Sequence, residues 1–437
     1  MDYSLESLIN RGEFLCSCGK THSAHLKDAL VDFGAIEKTA DFVRKYNGTK
    51  AYVIADRNTF KAAGERVIKS LEQGGIDYKL HVFRDERLET DEKLVGSAVL
   101  HFDYDCDIII AVGSGVINDT GKILSRQKNL PYIVVATAPS MDGYASSTSS
   151  VIRDGLKVSI DSRCPDVVIG DLDVLCSAPL MMIRSGLGDM LAKYISLCEW
   201  KISHLVTGEY YCGEVADIVR SALRKCVDNA GGIEARDPAA VKAVTEGLIL
   251  SGIAADYAGI SRPVSGVEHY YSHLWDMRAL EFGAPASLHG IQCGIATVLA
   301  AEKYEKLKSI TPDGKTAQEH FNSFDLNAWL EKLKAYLGSS ADVMVENAPT
   351  SERYNKEKHE QRVENIINNW DEILKTVEKE IPPCSEIIKI LHTIGAPSES
   401  DEINIPKSEN ELTFSATKDI RDKYILSTLL WDIGAEL

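Results

Sequence analysis

The chain has 437 residues, 44% hydrophobic, 26% charged and 7% aromatic, with 31 glycines and 13 prolines. That is length enough for two large domains, and it excludes both a staple-dependent miniprotein and global disorder. Forty-eight basic against 65 acidic side chains leave a formal charge of −17, which repels a phosphate backbone or an anionic bilayer and argues against a nucleic-acid partner. The opening segment has no basic stretch leading into an apolar run, and no segment reaches ~18 consecutive apolar residues, so the expectation is a cytosolic protein without membrane insertion. Ten scattered cysteines read there as reduced, mostly buried thiols rather than a disulfide framework.

Cys16-Ser-Cys-Gly-Lys-Thr-His22 comes first in chain order. Its three donors fall short of the four that close a structural zinc site, with His25 a candidate fourth; the preferred reading is a hairpin turn carrying reduced thiols. From Ala35 to Gly170 short β-branched runs alternate with helix-like stretches, the pattern of βαβ units around a parallel sheet. Strands are expected at Lys50–Arg57, Tyr78–Arg84, Asp107–Ser114 and Pro131–Ala138, with helices at Thr59–Gln73, Leu88–Phe102 and Asn118–Ser125 between them. Beyond Val151 a hairpin and one more strand close this part.

After Ala178 strand runs vanish and apolar residues recur at helical spacing through Met181–His204, Glu209–Asn229, Pro238–Ala258 and Gly290–Tyr304. Residues 340–382 read as solvated helices with a mobile loop near Ala348–Tyr354. The expected architecture is an α/β domain with a Rossmann-like parallel sheet over 1–177, then an all-α domain over 178–437, with the active site in the cleft between them.

Three stretches carry chemistry. Gly113-Ser-Gly115 follows an apolar strand and precedes a helix, where glycines let backbone N–H groups approach a pyrophosphate at the positive helix end. The same segment without a ligand is simply a tight strand-to-helix turn. The next strand opens into Thr137-Ala-Pro-Ser-Met-Asp142, a small polar loop at the same sheet edge. Asp56, ending the first strand, suits an adenosine ribose diol or else caps the following helix.

In the helical half, Asp189 lies in an apolar helix entered through Gly186 and Gly188, where a buried carboxylate needs compensation. His269 and His273 stand one turn apart on one helix face, and His289 begins another apolar helix; such imidazoles are either a metal or acid–base set or ordinary core groups.

The ordered set G-S-G-x-x-x-D-x-x-K (Gly113 to Lys122), T-x-P-S-x-D (Thr137 to Asp142), G-x-G-D (Gly186 to Asp189), E-H-x-x-x-H (Glu268 to His273) and L-H-G (Leu288 to Gly290) resembles the superfamily of dehydroquinate synthase, glycerol dehydrogenase and iron-containing alcohol dehydrogenases. Within it, the wording around Pro139–Val151 and Ser265–Met277 is similar to the bacterial sn-glycerol-1-phosphate dehydrogenases. The resemblance spans roughly residues 30–305 and departs from the commoner Gly-Gly-Gly at Gly113-Ser-Gly115.

The resemblance implies one divalent metal on Asp189, His269 and His289, with zinc first and nickel or iron alternatives. It implies substrate contacts from Asp142, Asp189 and His273, with Asp142 and His273 catalytic. It places NAD or NADP on Asp56, Gly113, Ser114, Gly115, Val116, Ile117, Asn118, Asp119, Lys122, Thr137, Ala138, Pro139, Ser140 and Ser146. The implied reaction is reversible reduction of dihydroxyacetone phosphate to sn-glycerol 1-phosphate, in a homo-oligomer. A polyol dehydrogenase and a dehydroquinate-synthase-like lyase are the alternatives within the fold. Asp56 favours NAD, whereas Arg57 suits the 2′-phosphate of NADP. Lys157, Arg163 and Arg262 lie near the motifs as phosphate candidates, none of them assigned.

Overall fold

A computed structural model describes residues 2–85, 87–154 and 156–435. The chain forms two compact units, Met1–Met190 with Glu214–Ser261, and Leu191–Gly213 with Arg262–Leu437.

The first unit carries all the strands found among the described residues: β1 (Phe14–Leu15), β2 (Thr21–His22), β3 (Asp28–Asp32), β4 (Lys50–Asp56), β5 (Asp77–Phe83), β6 (Ile108–Gly113), β7 (Tyr132–Ala136), β8 (Thr148–Arg153), β9 (Leu156–Asp161) and β10 (Val167–Asp171). Six of them make a sheet in the order β3-β10-β7-β6-β4-β5, every neighbouring pair parallel. The central strands β6, β7 and β10 are buried along their whole length, which is why they read as unbroken apolar runs. Val53, Ile110, Val112, Val135 and Ile169 share one core with Val67 and Leu71 of the helix Glu65–Gln73. Edge strand β3 was not expected from the sequence: Asp28-Ala-Leu-Val-Asp32 buries only Val31, so it lacks an apolar run.

The chain runs from β4 outward to edge strand β5, then crosses back to β6 on the other side of β4. That reversal opens a crevice at the carboxyl ends of β4 and β6, the place where open parallel sheets bind ligands. Beyond β7, the antiparallel pair β8–β9 forms a separate ribbon.

The helix Pro238–Ala258 is long and apolar enough to cross a membrane, but it is mostly buried inside the protein. Asp237 caps its start, and a Cβ on Gly252 would lie 2.7 Å from that of Ala145, so glycine permits the close approach.

The second unit is helical among its described residues. Leu274 of the helix Val267–Glu281 packs with Leu333, Leu337, Ala341 and Ala416. Ala348–Tyr354, expected as a mobile loop, forms two short turns. Arg353 there is buried and meets Asp419 Oδ1 at 3.0 Å, and the Tyr354 hydroxyl donates to the same oxygen at 2.8 Å.

Candidate active site

β6 ends at Gly113, and Ser114 leads into the helix Gly115–Lys128. A Cβ on Gly113 would sit 2.5 Å from Ile117 Cβ, whereas one on Gly115 would meet nothing within 4 Å. The first glycine is required by packing. The second leaves open space at the N-terminal end of the helix, where unpaired N–H groups and the helix dipole favour an anion. Ser114 Oγ and Ser140 Oγ are 2.6 Å apart, tying this turn to the loop after β7.

Farther along the helix, polar atoms go to protein partners. Asn118 Nδ2 donates to Gly143 O at 3.2 Å, and its Oδ1 accepts from the Tyr132 hydroxyl at 2.8 Å. Lys122 is fully buried and reaches Asp119 Oδ1 at 3.1 Å and Thr148 O at 3.0 Å, while Ser150 N donates to Asp119 Oδ2. Burial pushes the Asp119 carboxyl up against the opposing pull of Lys122. Ser146 Oγ accepts from Thr148 N at 3.1 Å, at the start of the β8–β9 ribbon.

At the end of β4, Asp56 Oδ1 accepts from Asn58 N (2.7 Å) and Thr59 N (2.9 Å), and Asp56 N donates back to Thr59 Oγ1. This is a capping box. The helix-cap reading therefore holds, and both capping bonds fall on one carboxylate oxygen, leaving Oδ2 outside the cap.

Thr137, Ala138, Pro139 and Ser140 follow β7. A Cβ on Gly186 would lie 1.9 Å from Pro139 O, so the helix Leu180–Leu191 passes this loop at a distance only glycine allows. Ser185 Oγ donates to Ser140 O at 2.9 Å. Asp189 is completely buried, and its Oδ2 accepts from Asp142 N at 2.9 Å. A carboxylate in such a position costs several kcal/mol unless its charge is compensated.

In the second unit, the helices Val267–Glu281 and His289–Leu307 bring His269 and His289 together, their ring centroids 5.1 Å apart. Donor atoms of His269, His289 and Cys293 all lie within 4.8 Å of one another. His273 is half-buried, its ring 6.1 Å from that of His289.

The hydrogen bonds fix which nitrogen of each ring offers its lone pair. His269 Nδ1 lies 2.8 Å from Glu268 Oε1, an oxygen that also accepts from Gly266 N, so the imidazole proton sits on Nδ1 and the lone pair on Nε2. Ser272 Oγ donates its one proton to Gln292 Oε1 at 2.6 Å, so it accepts from His289 Nδ1 at 3.0 Å, and His289 likewise presents Nε2. Gln292 Nε2 in turn donates to Asp276 Oδ1 at 3.0 Å. Sequence reasoning overlooked Ser272, Gln292 and Cys293; the only signal was their spacing of three or four residues from the histidines.

Behind His269, Glu268 Oε1 also accepts from Gly266 N, and Glu268 Oε2 is buried without a hydrogen-bond partner. Burial holds the Glu199 and Glu268 carboxyls above the ordinary range, and the Glu268 charge raises Glu199 further. An orphaned buried carboxylate oxygen and two imidazoles turned to the same tautomer form an environment that a divalent cation would neutralise.

Among the basic candidates, Arg262 is buried and committed to Glu209, Ser203 and Tyr424 O. Arg163 meets Asp166 at 3.2 Å.

A model of the iron-containing alcohol dehydrogenase family matches residues 30–179. Over 426 residues the chain is 30% identical to the glycerol-1-phosphate dehydrogenase [NAD(P)+] of Halalkalibacterium halodurans, spanning 97% of this chain and 96% of that one. The chain belongs to the glycerol-1-phosphate dehydrogenase family. Its relative from Geobacillus thermodenitrificans, of the same name, is 32% identical over 81% of this chain and 87% of that one. The probable glycerol dehydrogenase of Sinorhizobium meliloti shares the fold, with a TM-score of 0.58 at 16% identity over 94% of this chain and 93% of that one. Family similarity therefore continues well past residue 305, where the sequence motifs stop.

Proposed function

We propose that this family member catalyses the reversible NAD(P)-linked reduction of dihydroxyacetone phosphate to sn-glycerol 1-phosphate, with one divalent ion on Asp189, His269 and His289. The observation carrying this reading is the pair of imidazoles whose Nδ1 atoms are bound to Glu268 and Ser272, an arrangement typical of metal-ligating histidines; the substrate follows from the family. Bound there, the ion would act as a Lewis acid toward the substrate oxygen, and the nicotinamide would carry the hydride. Zinc is the first choice, although carboxylate and imidazole donors equally suit nickel or iron(II).

The chain's own residues do the rest. The Gly115 turn and Asp56 hold the dinucleotide by its pyrophosphate and ribose. Asp142, whose amide is fixed on Asp189, and half-buried His273 contact the substrate, and His273 supplies the proton that the alcohol oxygen requires. Arg57 next to Asp56 leaves room for NADP as well as NAD.

The test is a panel of dihydroxyacetone phosphate, dihydroxyacetone and sn-glycerol 1-phosphate with each cofactor, followed by nicotinamide absorbance. Stoichiometric oxidation of NADH or NADPH by the phosphorylated ketone is expected. Turnover with dihydroxyacetone alone would make the protein a polyol dehydrogenase, and substrate conversion without net cofactor change would make it a lyase.

A further inference from the structure

The proposed reaction leaves the Cys16–His22 segment unused. β1 and β2 pair Phe14 with His22 and Leu15 with Thr21, and the intervening turn is closed by Cys16 N to Lys20 O (2.9 Å) and Gly19 N to Cys16 O (3.0 Å). Gly19 takes φ +86°, a conformation glycine adopts without strain. The turn folds Cys16 and Cys18 back over His22, and donor atoms of these three residues lie within 4.8 Å of one another. Cys18 Sγ is 3.4 Å from His22 Nε2. Cys16 and His22 are buried.

A second observation shows how the imidazole is prepared. His22 Nδ1 lies 2.7 Å from the carbonyl oxygen of Tyr257. A carbonyl only accepts, so the proton sits on Nδ1 and the lone pair on Nε2, facing the two thiols. This is the tautomer and backing hydrogen bond found at metal-ligating histidines.

His25, the fourth donor considered from sequence, is engaged instead by Asp256 at 2.8 Å. A nearer donor is indicated by chain geometry. Cys16 Sγ is 3.4 Å from Glu214 Oε2, and Cys212 precedes Glu214 by two residues, which keeps their Cα atoms within ~7.6 Å whatever the path of the chain. Cys212 is fully buried. Glu214 itself is paired with Arg11.

We infer that Cys16, Cys18, His22 and Cys212 hold one structural zinc ion in a Cys3His set, distinct from the metal on Asp189, His269 and His289. Three sulfurs and one imidazole are soft tetrahedral donors that select zinc, and four protein ligands leave no position open to substrate. The ion holds the N-terminal hairpin in shape, and the bond from His22 Nδ1 to Tyr257 O ties that hairpin to the end of the helix Pro238–Ala258. Binding releases the thiol protons to solvent, so occupancy falls in acid.

Metal analysis of the purified, zinc-loaded full chain tests this directly. Two equivalents are expected. Cys18→Ser and Cys212→Ser should each lose one while keeping turnover per remaining ion, and His289→Ala should lose the other and with it turnover. Cobalt substitution of the unmutated chain provides a readout independent of variant folding. A thiolate-to-cobalt charge-transfer band is expected, retained in Cys293→Ser and His289→Ala and absent in Cys18→Ser. A cobalt protein without that band, or Cys18→Ser and Cys212→Ser chains with full zinc content, would overturn the inference. Loss of turnover in His289→Ala with the band intact bears on the catalytic site alone, so the two readings fail separately.

Discussion

His269 and His273 lie one turn apart on the same helix, yet different partners surround them, and that difference predicts different losses. His269 is backed by buried Glu268, so His269→Ala should lose the catalytic ion. His273→Ala should keep the ion and lose about 10²–10⁴-fold in kcat/KM for dihydroxyacetone phosphate, the usual cost of a missing proton-transfer partner. Metal content, melting temperature and turnover measured on both variants decide between this and a packing role, which would lower stability and leave the rate per molecule unchanged. Ser272→Ala, which removes the acceptor holding His289 in its tautomer, should weaken metal affinity by about 10–100-fold; unchanged affinity would make Ser272 a packing residue. The histidines and Asp189 were legible in the sequence because a charged or titratable group in an apolar helix stands out. Ser272 and Gln292 were not, because hydroxyls and amides occur on every helix and acquire meaning only when two helices bring together residues sixteen to twenty positions apart.

At the level of elements, the sheet was legible where burial on both faces forces continuous β-branched runs, as in β4, β6, β7 and β10, and illegible at β3, whose single buried residue leaves no pattern. Two helix glycines show the same contrast between packing and function. Gly186→Ala would place a methyl 1.9 Å from a backbone carbonyl that cannot rotate away, so it should cost ~1–3 kcal/mol or more and lower the melting temperature. Gly115→Ala meets open space and should leave the melting temperature nearly unchanged while raising the KM for the dinucleotide, because the methyl occupies the volume assigned to pyrophosphate. If Gly115→Ala leaves that KM unchanged, the turn holds no phosphate. On β5, burial and the stacked ring of His101, 4.2 Å away, lower His81 to about 4. The folded state thus gives up this proton more readily than the unfolded chain. The resulting stability is whole above about pH 6.5 and is lost as the pH falls toward 4, worth about 1–2 kcal/mol after allowing for solvent screening. His81→Phe should flatten the acid limb of the melting curve between those values, and an unchanged limb would assign acid sensitivity elsewhere.

For the whole molecule, the helix Pro238–Ala258 returns to the first unit after the chain has already entered the second. Helical periodicity reports a helix and its apolar face, but not which core that face joins, so such a return leaves no trace in the sequence. The arrangement has a functional consequence. Every residue assigned to the dinucleotide, from Asp56 to Ser146, belongs to the first unit, whereas His269 and His289 belong to the second. Dinucleotide binding should therefore survive loss of the catalytic ion. In a chain carrying His269→Ala and His289→Ala, NADH at 100 times its Kd should still stabilise the fold by ~2.7 kcal/mol. At the ordinary unfolding entropy per residue, for a chain of this length, that is a rise of about 3 °C in melting temperature, although turnover is abolished. Adding Asp56→Ala to that chain should shrink the shift, through loss of the ribose contact. Calorimetry with and without NADH reads both effects, and a histidine-deficient chain that no longer responds to NADH would show that the cofactor site is not complete in the first unit.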